Sequence, residues 1–266
     1  MKICNDNFIK NFNFIKNFKN MINKCLDFIY PENISCIICD KSIKKTNTYS
    51  ICKSCFKEMN FIQDGCMKCG KPIIRHSIEK EFIEECSYCF NKDFYFDKSI
   101  SCIEYNDVTK KMVLGLKYNQ KTFMAKYIAQ IMKEKLYLEN IKFDYILFVP
   151  LHKKRLNKRG FNQAQKIAFN LSKIVNIPLL DCISRKKYTR MLYKLNKKER
   201  KEELKNVFVV KENVKLINNK NILLIDDIFT TGLTTNEISK LLKLSGANKV
   251  FVLTLLTKAN DNYIME

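Results

Sequence analysis

The stretch Ile222-Leu-Leu-Ile-Asp-Asp-Ile-Phe-Thr-Thr-Gly-Leu-Thr234 opens with four aliphatic residues, then turns to two adjacent aspartates and a loop of hydroxyls and glycine. Successive side chains of a strand point to opposite faces, so four apolar residues in a row need cover on both sides. That is the mark of a parallel sheet flanked by helices. Ligands of such sheets bind beyond the carboxyl ends of the strands, and Asp226 and Asp227 sit at one such end. Two adjacent carboxylates repel, and burying them without partners is costly, whereas a ligand with hydroxyl donors, such as a ribose, satisfies both. The loop Thr230, Thr231, Gly232, Leu233 and Thr234 then offers backbone N–H groups and hydroxyls just before a helix, a ready site for a phosphate. Gly232 lets the backbone approach closely or take a positive φ. Together these features describe a phosphoribosyl pocket; the plainer alternative is a capped strand-to-helix turn.

Outward from this loop, strands and helices alternate. Ser99–Tyr105 reads as a strand, and Asn106 or Asp107 caps a helix that runs through Leu116. Thr122–Leu138 repeats the helical period, Phe143–Leu151 is a short apolar run cut by Pro150, and Phe161–Val175 places Ala164, Ile167, Ala168 and Leu171 on one helical face. Val207–Val210, Asn221–Ile225 and Lys249–Leu255 read as further strands, with a helix over Leu233–Leu244 and Gly246 at its end. The pattern predicts an α/β domain over residues 98–266, a parallel sheet with helices on both sides. Residues 1–33 read as an amphipathic helical extension with Phe8, Ile15, Phe18, Ile22, Leu26 and Ile29 at helical spacings, ending at Pro31.

Between them, residues 34–92 carry eight of the twelve cysteines as four Cys-x-x-Cys knuckles: Cys36/Cys39, Cys52/Cys55, Cys66/Cys69 and Cys86/Cys89. Two intervening residues let a tight turn aim both sulfurs at one ion, and two knuckles complete a tetrahedral shell around zinc. This predicts a double zinc ribbon with two structural Zn2+, the first two knuckles sharing one ion and the last two the other. The remaining readings of these thiols are iron–sulfur ligation or a redox dithiol. Cys4, Cys25, Cys102 and Cys182 stand alone and read as small core residues.

The formal charge of +21 suits a polyanion, because Lys and Arg that neutralise phosphates gain affinity from counterion release. The same excess follows from an AT-biased coding sequence rich in Lys, Asn and Ile. Distribution favours the first reading in one place: Lys153, Lys154, Arg155, Lys158, Arg159 and Lys166 contain no acid among them. This points to single-stranded DNA. No run of about 18 or more uncharged apolar residues reads as a membrane span, and the N-terminal stretch lacks the apolar centre of a secretory signal, so a cytoplasmic protein is expected.

The motif at Ile225–Thr234 resembles the 5-phosphoribosyl-1-pyrophosphate (PRPP) loop of type I phosphoribosyltransferases, an aspartate pair followed two residues later by Thr-Thr-Gly-x-Thr. Over about residues 25–257 the chain resembles more narrowly the ComF family, competence-associated phosphoribosyltransferase-like proteins with a Cys-rich N-terminus. The shared features are FIYPENISCIIC over 28–39, the four knuckles, LKY at Leu116–Tyr118, VPLHKKRLNKRGFNQA at Val149–Ala164, and the aspartate loop.

The resemblance implies a type I phosphoribosyltransferase-like sheet and a role in DNA uptake. It implies that Asp226 and Asp227 hold the ribose and carry any catalysis, and that Thr230–Thr234 hold the 5-phosphate. Val149, Pro150, Leu151 and His152 face the pyrophosphate with Arg155 and Arg159 in support, Lys117 adds a cation, and Mg2+ accompanies PRPP. Taken alone, His152 is a surface loop residue and Lys117 a helix C-terminal cation. Arg185–Lys205, with ten Lys/Arg against three Glu, looks like the hood of these enzymes. Thr189 and Arg200 fit the hood pattern, while Leu192 stands where glutamine is common. Two functions stay open: a binder of PRPP and single-stranded DNA with a helicase or other uptake partner, or an active phosphoribosyltransferase on an unknown acceptor.

Overall fold

The computed structural model describes residues 34–73, 86–118, 121–189 and 205–259, together with 199 and 203. The helical extension expected over 1–33, the lone Cys4 and Cys25, and the hood positions Leu192 and Arg200 lie outside the described residues. The chain divides into two compact units at Lys53/Ser54.

In the first unit the chain turns tightly after Cys36. Cys36 N–H donates to the Lys41 carbonyl at 2.8 Å, Asp40 N–H to the Cys36 carbonyl at 2.9 Å, and Ser35 bridges antiparallel to Ser42. The turn closes because Asp40 takes φ 60°, a left-handed conformation that Asp tolerates better than most residues.

The second unit is built on a sheet of four parallel strands in the order β1–β6–β5–β2, with β1 at Lys98–Glu104, β2 at Tyr145–Phe148, β5 at Asn221–Phe229 and β6 at Lys249–Thr257. Helices α1 (Asp107–Tyr118), α2 (Met124–Glu139), α3 (Lys153–Arg159), α4 (Gln163–Val175) and α5 (Leu233–Leu244) intervene. The α2 and α4 helices pack on each other, α2 against β1 and β6 and α4 against β2 and β5. Ile222, Leu224, Val250 and Val252 form a core with Ile238 and Leu242 of α5. The sheet is therefore covered on both faces, as its uninterrupted apolar strands require.

Three elements depart from the sequence reading. The strand expected at Asn221–Ile225 continues to Phe229, because β6 runs on beside it to Thr257 and pairs Asp226 with Thr254 and Phe229 with Thr257. Both aspartates thus lie inside the strand. Val207–Val210 does not join the main sheet: Phe208–Val210 (β4) pairs antiparallel with Ile183–Arg185 (β3), a partner too short for periodicity to reveal. Residues 153–159, to which the sequence reading assigned no element, form α3, because His152 caps its start and Gly160, at φ 82°, ends it.

The third and fourth knuckles belong to this second unit and merge with its core: Cys66, Cys69, Cys86 and Cys89 share one buried cluster with Phe96, Val250 and Val252. Ile62 N–H donates to the Cys102 carbonyl at 2.9 Å and Ser99 N–H to the Lys68 carbonyl at 2.8 Å, fastening this segment along β1. Gly70 sits so close that a Cβ there would meet the Ser99 carbonyl oxygen at 2.4 Å. Buried Lys135 donates to the Ile62 carbonyl at 2.8 Å and pairs with Glu139 at 2.8 Å, which also takes Lys98 at 2.7 Å. Burial pushes the Glu139 carboxyl up, but the two ammonium groups outweigh it and hold the carboxyl below its ordinary range.

Candidate functional site

The carboxyl end of β5 gathers the site. Asp227 is 5 % exposed and Asp226 half-buried, and Asp227 N–H donates to Asp226 Oδ1 at 2.8 Å. Lys117, one residue from the end of α1, forms an ion pair with Asp227. Burial and the neighbouring Asp227 charge push the Asp226 carboxyl well above its ordinary value, against the pull of Lys117. Burial acts on Asp227 as well, but the Lys117 ammonium and the hydrogen bonds around it leave Asp227 below its ordinary value. The two carboxyls are driven apart: Asp226 holds its proton more tightly than an ordinary carboxyl, and Asp227 less tightly.

Gly232 takes φ 70° at the N-terminus of α5, and a Cβ there would meet the Phe229 ring at 2.6 Å. No side chain caps this helix start; Gly232 instead receives Thr235 Oγ1 and the Asn236 N–H on its carbonyl, at 3.0 and 2.7 Å. Thr230 is exposed, while Thr231, Leu233 and Thr234 are half-buried along the turn. Thr257 Oγ1 donates to the Phe229 carbonyl at 3.1 Å and fixes the strand end from which the turn departs.

A second loop joins the same end of the sheet. Val149 N–H donates to the Ile225 carbonyl at 3.0 Å, and buried Asn162 donates to the Val149 carbonyl at 3.0 Å while its own oxygen caps α4 at Ala164 N–H. Val149 and Pro150 are buried, Leu151 and His152 half-buried. His152 Nδ1 accepts from Lys154 N–H at 3.1 Å, so its imidazole is engaged as the α3 cap. Arg155 donates to the Thr189 carbonyl at 3.0 Å, and Arg159 donates to Gln163 and lies over the Tyr118 ring at 5.4 Å. Lys153, Lys154 and Lys158 are exposed on α3, a helix with no acidic residue.

Sequence reasoning did not single out Arg185. It ends β3, donates to the hydroxyl of buried Thr189, and lies over the Phe208 ring at 5.4 Å. Burial and the Arg155 charge bring its pKa down to about 10, with Asp226 pulling the other way. Its only sequence signal is a place at the start of the basic run.

The thiols of Cys36, Cys39, Cys52 and Cys55 lie within 4.8 Å of one another, as do those of Cys66, Cys69, Cys86 and Cys89. The knuckles therefore pair in chain order. Sulfurs stand at 3.7 Å for Cys39/Cys52, 3.4 Å for Cys66/Cys89 and 3.5 Å for Cys69/Cys86. A tetrahedron with Zn–S bonds of about 2.3 Å has edges of about 3.8 Å, so both groups fit a closed Cys4 zinc shell. Such a shell has no open position, and the zinc holds structure.

Residues 25–90 match the double zinc ribbon domain family. Over 226 residues the chain is 26% identical to competence protein F of Haemophilus influenzae, covering 83% of this chain and 95% of that one. It is 27% identical over 238 residues to competence protein ComFC of Streptococcus pneumoniae, covering 84% and 100%. With the DNA utilization protein YhgH of Escherichia coli K12 it shares 25% identity over 210 residues, 77% of this chain and 88% of the relative. Among solved structures it is similar to adenine phosphoribosyltransferase from Thermoanaerobacter pseudethanolicus, at 12% identity and a TM-score of 0.35 over 52% of this chain and 83% of that one. No helix among the described residues is long and apolar enough to cross a membrane. Over most of its length the chain is thus a homologue of the proteins named competence protein F, ComFC and YhgH, with a double zinc ribbon in its N-terminal part.

Proposed function

We propose that the chain binds PRPP, or a related 5-phosphoribosyl ligand, at the carboxyl end of β5 and acts in DNA uptake in the cytoplasm, holding single-stranded DNA on the basic face of α3. The observation that carries the ligand reading is the aspartate pair at the end of β5, with Asp227 paired to Lys117, beside a helix start that no side chain caps. Asp226 and Asp227 take the ribose hydroxyls, and Thr230, Thr231, Gly232, Leu233 and Thr234 the 5-phosphate. Val149–His152, Lys117, Arg155 and Arg159 face the pyrophosphate, with Mg2+ arriving on the ligand and neutralising its charge. In this division of labour residues 98–266 bind the ligand and residues 34–92 serve as the ribbon, which offers a docking surface to a helicase or other uptake partner.

The names of the relatives, competence protein and DNA utilization protein, support the DNA role. The exposed Lys153, Lys154 and Lys158 on a helix without acids support the location. The second reading keeps the ligand site and drops the DNA: a phosphoribosyltransferase on an unidentified acceptor.

Calorimetry with PRPP and Mg2+ tests the first part. Wild-type chain that gives no heat and no melting shift at millimolar ligand overturns it. The second part predicts binding of single-stranded DNA with little sequence preference and a linear fall of log affinity with log salt. Neutralising Lys153, Lys154 and Arg155 together lowers the slope by about 2–3. An unchanged slope removes α3 from the DNA path and favours the second reading.

A further inference from the structure

We propose that Tyr188 and Tyr118, one at each end of α3, are platforms on which bases of a single strand stack while the lysines of that helix hold its phosphates. The proposal rests on the single-stranded DNA reading of α3 and adds the groups that take the bases. Neither ring is a core residue: Tyr188 is 54 % exposed and Tyr118 66 %. Each is nevertheless held against α3. The Tyr188 ring lies edge to face with the imidazole of His152 at 5.4 Å, and has the Lys154 ammonium at 5.6 Å and the Arg155 guanidinium at 5.5 Å. The Tyr118 ring faces the Arg159 guanidinium at 5.4 Å, at the other end of the helix.

The helix between them, KKRLNKR, carries five Lys/Arg and no acid, with Lys153, Lys154 and Lys158 exposed. Phosphates alone would be served by these cations without any ring. Basic side chains that track a backbone, together with rings on which any base can stack, are the two parts of a site for single strands. The spacing fits, since seven helical residues span about 10 Å, the length of roughly three nucleotides at about 3.4 Å each. One short strand therefore reaches both ends of α3. His152, itself fixed as the cap of α3, braces the Tyr188 ring, so little freedom is lost when a base lands on it. Bases inside a duplex are already stacked on one another and gain nothing from the rings. The plainer role for both tyrosines is to steady the long cations beside them, in which case removing a ring costs phosphate contacts and not base contacts.

The test is fluorescence anisotropy with three labelled probes of equal length: oligothymidylate, the same strand with abasic sugars throughout, and oligouridylate. Wild type, Tyr188→Ala, Tyr118→Ala and Tyr188→Phe are titrated over a range of salt, with a urea midpoint for each. Each alanine variant is expected to lose about fivefold or more on oligothymidylate and less than about twofold on the abasic strand. Its salt slope stays that of wild type, since stacking releases no counterions. Tyr188→Phe keeps wild-type affinity, because the ring and not the hydroxyl makes the contact. Equal losses on the two strands, or none, overturn the platforms while leaving the DNA reading intact, as does wild type that binds the abasic strand as tightly as oligothymidylate. Ring-dependent binding of oligouridylate in preference to oligothymidylate supports the platforms and overturns the DNA reading instead. Wild type that binds none of the probes overturns both. Should Tyr188→Ala fail to fold, Tyr118→Ala decides by the same ratio of oligothymidylate to abasic affinity.

Discussion

At Asp227 the carboxylate is held by Lys117, and this partnership makes the two aspartates respond differently to substitution. Lys117→Met strands a buried charge and is expected to cost about 3 kcal/mol of stability, read from urea unfolding. Asp227→Asn is expected to weaken PRPP binding by about 1.5–3 kcal/mol through loss of a charge-assisted hydrogen bond. Asp226 has the opposite sign of pH dependence. Its raised pKa means that the folded chain keeps a proton the unfolded chain has released, so stability falls as pH rises from the ordinary carboxylate range through the raised value. Asp227, lowered, adds stability above the ordinary range and loses it as pH falls through its own value. The urea midpoint of Asp226→Asn relative to wild type is therefore expected to rise as pH rises above the ordinary carboxylate range; a constant difference would mean an ordinary carboxyl. The aspartates themselves were legible, since charge at the end of an apolar run has few explanations. Their inequality was not, because it depends on a lysine 110 positions away in the chain.

At the scale of elements, the turn into α5 depends on a residue without a side chain. Gly232→Ala must place a methyl against the Phe229 ring in a left-handed conformation, and a cost of roughly 2–4 kcal/mol is expected, with PRPP binding lost alongside. A variant that melts like wild type would show that the turn can open without harm. The α5 helix was readable at Leu233–Leu244 to the residue, because its hydrophobic period and its flanking glycines agree. The neighbouring α3 was missed for the converse reason: KKRLNKR buries no residue and has no apolar face, and only its caps, His152 and Gly160, make it a helix. The β3 strand went unseen because three residues carry no period; it exists through its pairing with β4.

At the scale of the whole chain, two Cys4 groups predict two zinc ions, to be counted by elemental analysis. Cys69→Ser is expected to lower the melting temperature of the sheet by roughly 10 °C, because this group shares its core with Val250 and Val252. Spacing made the ligands legible, but not the union of the second group with the sheet. That union rests on backbone bonds such as Ile62 N–H to Cys102 O, and on the bare approach of Gly70 to Ser99, neither of which leaves a pattern in sequence.

The same burial sets two clocks for the metals. All four thiols of the second group are buried, whereas Cys39 and Cys52 of the first are partly open to solvent. Isotopically labelled zinc should therefore exchange into the first group of the folded chain, but into the second only as fast as the sheet core opens. One ion would be replaceable in service, and the other would be installed when the chain folds and carried for as long as it stays folded.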